Sequence, residues 1–391
     1  MISPPQYKAP TFHLFHKMKN SNRLIFCQPI EADFVRFYEI NADPETNLFN
    51  PNGAMDFETA KKAFGEMCIH WQKFGFGTWS IREKEKPEFI IGFGGLSDRL
   101  YGNEIKLNLG YRFDKKYWGK GYATELAQTA IDFGFNELNK IEIFAIVRPR
   151  HLASIHVLEK SRMQLFGELN DVPNEANSLV FHISNNPKDI VRIGYDRLSS
   201  HYRHHFDSTH SHDYFIWIND LLSRIHTNSK ILELGCGDGI PVAQILSDNH
   251  KYTGIDLSPI QIQNAKENVP NGTFLTGDMT ELNYSDHSFD CIIALYSIIH
   301  VPIDEQENLL HAIYRWLQPD GYFLCTLGVK EWTGMENDWI LPNTTMYWSH
   351  TDAEKYSEWL ISLGFVICKK EYIAEGNNGH TLFLLKKATE A

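Results

Sequence analysis

Two short stretches carry glycines in patterns that suit ligands better than regular structure. Residues 117–126 read YWGKGYATEL and residues 231–240 read ILELGCGDGI. Glycine loses more freedom on ordering than any other residue, so pairs of glycines just ahead of an amphipathic segment need a reason. Close approach of backbone to a ligand, with N–H groups at a helix start aimed at it, supplies one. In the first stretch Phe113 ends a strand-like run and Lys116, Trp118, Gly119, Lys120 and Gly121 form the loop. Tyr122 and Ala123 open the expected helix. The GxxxxGK(S/T) spacing of a nucleoside-triphosphate loop is absent. The second stretch sets Glu233, Gly235, Cys236, Gly237 and Gly239 at the end of an apolar run. Position 240 is isoleucine, so the third glycine of a nicotinamide GxGxxG fingerprint is missing.

A loop with no pyrophosphate to cradle need only pass close to a nucleoside and an amino-acid tail, which points to S-adenosylmethionine. Residues further on agree. Asp256, followed by Leu257, stands about twenty residues downstream, where an acid can hold both ribose hydroxyls. Asp278 in TGDM can accept from the adenine amino group, with Met279 packing beside the ring. FDCIIALYSIIH, containing Leu295, supplies the strand whose end faces the reacting methyl. His300 at its close is the candidate base; a hydrogen-bonded histidine at a helix end is the competing reading. In order and spacing these motifs resemble the class I S-adenosylmethionine-dependent methyltransferases over about residues 190–388. The resemblance implies that Tyr195 or Tyr202, in GYDRLSSHYR, reaches the cofactor's carboxylate; aromatic core packing explains them too. The Asn/Asp-Pro-Pro-Tyr/Phe motif of enzymes that methylate base amines is absent. A small-molecule acceptor is expected, with a protein amine next. The aromatic stretch MENDWILPNTTMYWSH at 335–350 reads as an inserted lid, or as packing.

The first loop, in YRFDKKYWGKGYATELAQTAIDF, is similar to the acetyl-CoA pyrophosphate loop of the GNAT acetyltransferases. The nearest branch acetylates N-terminal amines of ribosomal proteins, and the resemblance covers roughly residues 21–185. It implies direct acetyl transfer to an amine, with one group to take the ammonium proton and another to protonate the thiolate. Ser154 is retained, to contact the cofactor or protonate the thiolate. Three positions depart from the family pattern. Asn108 in LNLGY replaces an expected acid and cannot act as a base, and His151 and Arg162 replace the usual asparagine and glycine. Two readings follow: an active acetyltransferase, with water or His151 as base, or a module that binds acyl-CoA or an amine without turnover.

The elements that must hold these groups alternate along the chain. Residues 21–185 read as strands and helices of a mixed α/β sheet, with a hairpin turn at EKEKPE and a helix from about 122 to 136. From 230 onward strand, glycine turn, helix and strand repeat, which implies a largely parallel, Rossmann-like sheet. The polar stretch ISNNPKD marks a boundary, so the expected domains are 1–187 and 188–391. A chain of 391 residues is long enough for two cores.

Bulk composition narrows the partners. The net charge of -12 resides in the second half, with 22 basic and 22 acidic residues in 1–187 against 15 and 27 in 188–391. A nucleic-acid partner is therefore not expected for that half. The six cysteines, at 27, 68, 236, 291, 325 and 368, form no CxxC pair, which suits a reducing compartment and argues against a zinc site. His201, His204, His205, His210 and His212 match no zinc spacing, so no metal is expected. No signal peptide or membrane-spanning run is read, and the expected location is the cytoplasm. No stripe specifies an oligomer.

Overall fold

A computed structural model describes residues 18–199, 211–342, 344–376 and 378–388. The chain divides into two compact units, Met1–Asn185 and Asn186–Ala391. The division falls two residues before the boundary expected from composition, because ISNNPKD is less a linker than a helix start. Asn186 is an N-cap whose side chain accepts from Lys188 N, and Pro187 occupies the first helical position.

The first unit contains β1 (Met18–Asn20), β2 (Leu24–Cys27), α1 (Phe34–Ala42), α2 (Phe57–Phe74), β3 (Thr78–Glu83), β4 (Lys86–Tyr101), β5 (Glu104–Phe113), α3 (Tyr122–Asn136), β6 (Glu142–Val147), α4 (Leu152–Lys160), β7 (Gln164–Leu169) and β8 (Ser178–Ser184). Among the described residues the strands form one sheet in the order β1-β2-β3-β4-β5-β6-β8-β7. Every pairing is antiparallel except that of β5 with β6, which is parallel and has a single register pair, Asn108 with Phe144. Past Asn108 the two strands therefore splay. Leu126, Ala127, Ala130 and Ile131 of α3 bury against Leu107, Leu109 and Phe113 of β5 and Ile143 and Ala145 of β6. A second cluster joins α1 and α2, through Phe37, Ile40 and Phe64, to Ile90 and Phe93 of β4. Helix α2 starts where Asp56 accepts from Thr59 N and stops at Gly75, whose φ of 73° closes it.

The second unit begins with α5 (Pro187–Leu198) and α6 (Ser211–Leu222). It continues with β9 (Lys230–Leu234), α7 (Val242–Leu246), β10 (Lys251–Asp256), α8 (Pro259–Asn268), β11 (Thr273–Thr276), β12 (Phe289–Ala294), α9 (Ile303–Trp316) and β13 (Leu317–Gly328). Then come β14 (Trp332–Asn337), β15 (Thr345–His350), α10 (Ala353–Ser362), β16 (Phe365–Glu375) and β17 (Asn378–Lys387). Its main sheet runs β11-β10-β9-β12-β13-β17-β16. The first five strands are mutually parallel, and β17 and β16 add antiparallel. The central strands are mainly apolar, as strands covered on both faces are, and two hydrophobic clusters fill those faces. The aromatic stretch at 335–350 lies in a separate ribbon, β14 with β15. Met346 and Tyr347 of that ribbon pack against Ile190 and Val191 of α5.

Candidate functional site

In the first unit, β5 delivers the chain into a short 3-10 turn, Lys115–Tyr117, capped by Asp114 accepting from Lys116 N at 2.9 Å. Gly119 and Gly121 then adopt left-handed φ of 74° and 79°. A Cβ on Gly119 would meet nothing within 4 Å, so nothing crowds that face of the loop. Gly121 is the N-cap of α3 and brings no side chain to cap it. The first N–H groups of α3, on Tyr122 and Ala123, are thereby left to a ligand or to water. Trp118 is half exposed and donates its indole N–H to the Phe113 carbonyl at 3.0 Å.

One support of this loop has no motif to reveal it. Arg23 donates Nη1 to the Lys120 carbonyl at 2.9 Å and Nε to Glu125 at 2.7 Å, and its guanidinium lies 4.6 Å from the centre of the Tyr122 ring. Burial pushes the Glu125 carboxyl up, but the Arg23 backbone N–H, Ser21 and the Arg23 guanidinium together hold it below the usual range. Lys120 places its ammonium 4.9 Å from the Tyr117 ring centre.

Ser154, in the first turn of α4, lies with Oγ 2.9 Å from the Tyr111 hydroxyl. Burial raises Tyr111 to about 12, so it stays protonated at neutral pH. Asn108 is buried and accepts the Tyr101 hydroxyl at 2.8 Å. His151 precedes α4, its ring stacked on Phe49 at 4.4 Å. Burial and then the Arg112 charge lower its pKa. Arg162 takes a φ of 64°, the left-handed position that follows a helix. Arg162 N bonds the Glu159 carbonyl and Met163 N the Leu158 carbonyl, a closure usually left to glycine.

The second unit encloses a cavity of about 190 Å³ at the carboxyl ends of β9, β10 and β12. Glu233, Gly235, Cys236, Gly237, Asp256, Leu257, Asp278, Met279, Leu295 and His300 all line it, so the sequence-selected residues converge. Gly235 has φ 80°, and a Cβ there would fall 2.3 Å from Ser297 Cβ. Gly237 has φ 52° with nothing within 4 Å of its Cβ position. Asp256 accepts from Gly237 N at 2.9 Å and from Ser258 N at 2.8 Å, which ties the glycine loop to the end of β10. Burial nevertheless pushes its pKa up to about 6. Glu233 accepts the Tyr252 hydroxyl, and burial raises it to about 8. Burial also pushes Asp278 up, but Lys188 and the N–H and hydroxyl of Thr280 outweigh this and lower it.

His300 sits in the 3-10 turn Ile298–His300 with both ring nitrogens engaged. A carbonyl can only accept, so Nδ1 carries the proton donated to Tyr347 O at 2.7 Å. Nε2 then accepts the Tyr195 hydroxyl at 2.9 Å. Burial lowers its pKa to about 4. The ring is a neutral hydrogen-bond acceptor, a weak base at neutral pH, and Tyr195 is a polar partner rather than only core packing. Tyr202 and His201, His204, His205 and His210 lie outside the described residues, as does the side chain of His212. Among the described residues no His, Cys, Asp and Glu cluster could hold a metal ion.

Several contributors to the cavity escaped the sequence reading. Lys188 and Arg192 stand on α5 with Val191 and Tyr195, spaced so that one face of the helix covers the cavity. Lys188 bonds Asp278 at 2.8 Å and also reaches Glu305. Ser297 lies against Gly235 and donates to the Leu234 carbonyl at 2.6 Å. Gln261, 3% exposed and in the first turn of α8, lines the cavity with an Oε1 that accepts no hydrogen bond from the described residues. Only the 188-191-192-195 spacing was there to be read; Ser297 and Gln261 carry no local signal.

Comparisons with known proteins divide at the same place. A GNAT acetyltransferase domain model matches residues 23–164, and a methyltransferase domain model matches residues 231–321. The uncharacterized protein YkkB of Bacillus subtilis strain 168 is 36% identical over 123 residues, 30% of this chain and 71% of that protein. An uncharacterized N-acetyltransferase of Bacillus licheniformis is 36% identical over 145 residues, 36% of this chain and 78% of that protein. Sterol 24-C-methyltransferase erg-4 of Neurospora crassa is 34% identical over 121 residues, 29% of this chain. The chain spans only 30% of the length of that sterol enzyme. Through its first unit the chain belongs to the GNAT acetyltransferases, a transferase family, and it carries a methyltransferase domain in its second.

Proposed function

We propose that the protein is a bifunctional transferase, an acetyl-CoA-dependent N-acetyltransferase joined to an S-adenosylmethionine-dependent methyltransferase. The observation that carries this reading is that each unit presents its own left-handed glycine loop. Gly119 and Gly121 open an uncapped helix, and Gly235 and Gly237 line a cavity.

The first loop fits a pyrophosphate. The open Cβ position of Gly119 and the N–H groups of Tyr122 and Ala123 favour anionic oxygens, with Lys116, Trp118 and Lys120 beside them. Bound acetyl-CoA would supply the activated acetyl group. An acceptor amine loses its proton as the new N–C bond forms and the C–S bond breaks. Ser154, hydrogen-bonded to Tyr111, is the group positioned to return a proton to sulfur. Asn108 cannot take the ammonium proton, so that role falls to water or to His151, whose lowered pKa leaves it neutral and able to accept.

The cavity fits S-adenosylmethionine. Asp256 can accept ribose hydroxyls, the orphaned Gln261 Oε1 calls for a donor, and Asp278 faces the same space from the end of β11. The cofactor would supply an electrophilic methyl. Leu295 and Met279 give the cavity apolar wall, and the Tyr195–His300 pair offers a polar anchor for an acceptor rather than a strong base. Helix α5 excludes water above it. A small organic acceptor suits the aromatic surround of Trp339 and Trp348, which contact Tyr195 and His300.

A second reading, a methyltransferase with a non-catalytic CoA- or amine-binding module, is favoured by Asn108 and Arg162. Incubation of the full chain with radiolabelled acetyl-CoA and an amine panel separates the two. Label transferred to an amine, and lost on Ser154→Ala with Gly121→Asp, supports the bifunctional reading; binding without transfer supports the second. Among the described residues no helix is long and apolar enough to cross a membrane. We propose a cytoplasmic protein with no nucleic-acid partner, the excess acidity of the second half being the support.

A further inference from the structure

Among the described residues of the first unit, the inward-facing arginines have acid partners with one exception. Arg82 pairs with Asp33 in the core and Arg36 with Asp114 beside the loop. Arg112 on β5 is partly buried, and among the described residues no carboxylate pairs with it. Its guanidinium donates through Nη1 to the side-chain carbonyl of Asn47, a neutral group in the loop between α1 and α2. Burial alone acts on its pKa, lowering it, with no neighbouring acid to offset that. A guanidinium has five donors in a flat fork, and one bond to an amide leaves most of that capacity unused.

Its position gives the unused capacity a direction. Side chains alternate along β5, so Leu109, Tyr111 and Phe113 share the face packed by α3 while Asn108, Gly110 and Arg112 share the other. Beyond Asn108 the strand has parted from β6, so both faces meet at the gap. Tyr111 carries the hydroxyl that holds Ser154 on one side of that gap. On the other side are Arg112, Asn47 and the His151 ring stacked on Phe49. An acceptor reaching the gap from that side meets a flat aromatic wall and the Arg112 guanidinium. A cation that geometry leaves without an internal anion is completed by one from outside.

We infer that Arg112 receives a carboxylate of the acetyl acceptor, so that the first unit selects amines that also carry an acid group, amino acids being the simplest. The inference rests on the acetyltransferase reading above and deepens it by naming the substrate class. A carboxylate matches the guanidinium fork with two parallel hydrogen bonds, which a carboxamide of the same size cannot supply with charge.

The experiment is a calorimetric titration of the full chain, saturated with CoA, using L-amino acids and their carboxamides as paired probes. Acetyl transfer to the same probes from acetyl-CoA is read separately. The expected result is a preference of about tenfold or more for acids over amides, the value of one charge-assisted hydrogen bond. Arg112→Met brings the preference to near unity, with acetyl-CoA affinity unchanged, and Arg112→Lys keeps part of it. Wild-type chain that binds acids and amides alike overturns the inference, whether or not the variants fold, and leaves Arg112 as an anchor for the Asn47 loop. Transfer to amides and acids at equal rates overturns it too, while leaving the acetyltransferase reading intact. Acid-selective binding without transfer supports the Arg112 site and removes the acetyltransferase reading instead.

Discussion

Gly235 and Gly237 stand two residues apart in one loop, and substituting each by alanine is expected to fail in different ways. At Gly235 a Cβ would fall 2.3 Å from Ser297 Cβ and 3.0 Å from its Oγ, on a backbone with φ 80°. The left-handed conformation costs a non-glycine residue about 1 kcal/mol. Relieving the overlap in a packed wall adds roughly 1–3 kcal/mol. Moving Ser297 also strains or breaks its bond to the Leu234 carbonyl, worth about 1 kcal/mol. Gly235→Ala should therefore lower stability by roughly 3–5 kcal/mol, which at about 2–4 °C per kcal/mol is a large fall in melting temperature for a unit of this size. At Gly237 only the conformational cost applies, about 1 kcal/mol, because nothing lies within 4 Å of the new methyl. That methyl instead enters the cavity, so S-adenosylmethionine affinity should drop while the fold holds. Scanning calorimetry of the full chain gives the first quantity and isothermal titration the second. A Gly235→Ala chain as stable as Gly237→Ala would refute the packing argument. Gly237→Ala chain with wild-type affinity would refute the assignment of that space to the cofactor.

The remaining predictions follow from single residues. Because Asp256 titrates near 6 and must be ionised to accept ribose hydroxyls, S-adenosylmethionine affinity should fall about tenfold between pH 7 and pH 5, and Asp256→Asn should bind weakly with a flat pH profile. Glu233 has its pKa raised from 4.5 to about 8 on folding, so the folded chain binds the proton more tightly and this group's contribution worsens as pH rises across that window. Relative to wild type, Glu233→Gln should gain up to about 1.4 kcal/mol per pH unit between pH 5 and 8, measured by urea unfolding; a gap that shrinks with pH reverses the sign and refutes the burial. Arg162→Gly should stabilise the first unit by about 1 kcal/mol, since φ is 64° there, and an unchanged or lower melting temperature would show that the arginine side chain compensates.

What the sequence revealed and what it hid divide along physical lines. Local rules located the glycine loops and the helix at 122–136, which α3 matches at both ends, because glycine placement and apolar period act within a few residues. The parallel strands of the second unit and the cavity-lining acids were legible for the same reason: Asp256 and Asp278 each sit at a strand end. What was hidden depends on contacts distant in sequence. Arg23 supports Lys120 from 97 residues away, and Tyr195 meets His300 from 105 residues away. Ser297 mattered only once Gly235 lay against it. His300 was legible as a polar group at the right strand end, but not as a neutral ring locked between a hydroxyl and a carbonyl. The stretch at 335–350 was legible as aromatic surface, while its pairing into a two-stranded ribbon beside α5 was not.

The reading of one chain with two cofactor loops is tested most directly by titrating the full chain with acetyl-CoA in the presence of saturating S-adenosylmethionine, alongside a Gly119→Asp, Gly121→Asp variant. Carboxylates at the uncapped start of α3 would repel a pyrophosphate and leave the cavity of the second unit untouched. The predicted result is one equivalent of acetyl-CoA bound by wild type, lost in the variant, with S-adenosylmethionine binding equal in both. A folded wild-type chain that ignores acetyl-CoA, or a variant that binds it as well as wild type, would contradict the assignment of the first loop.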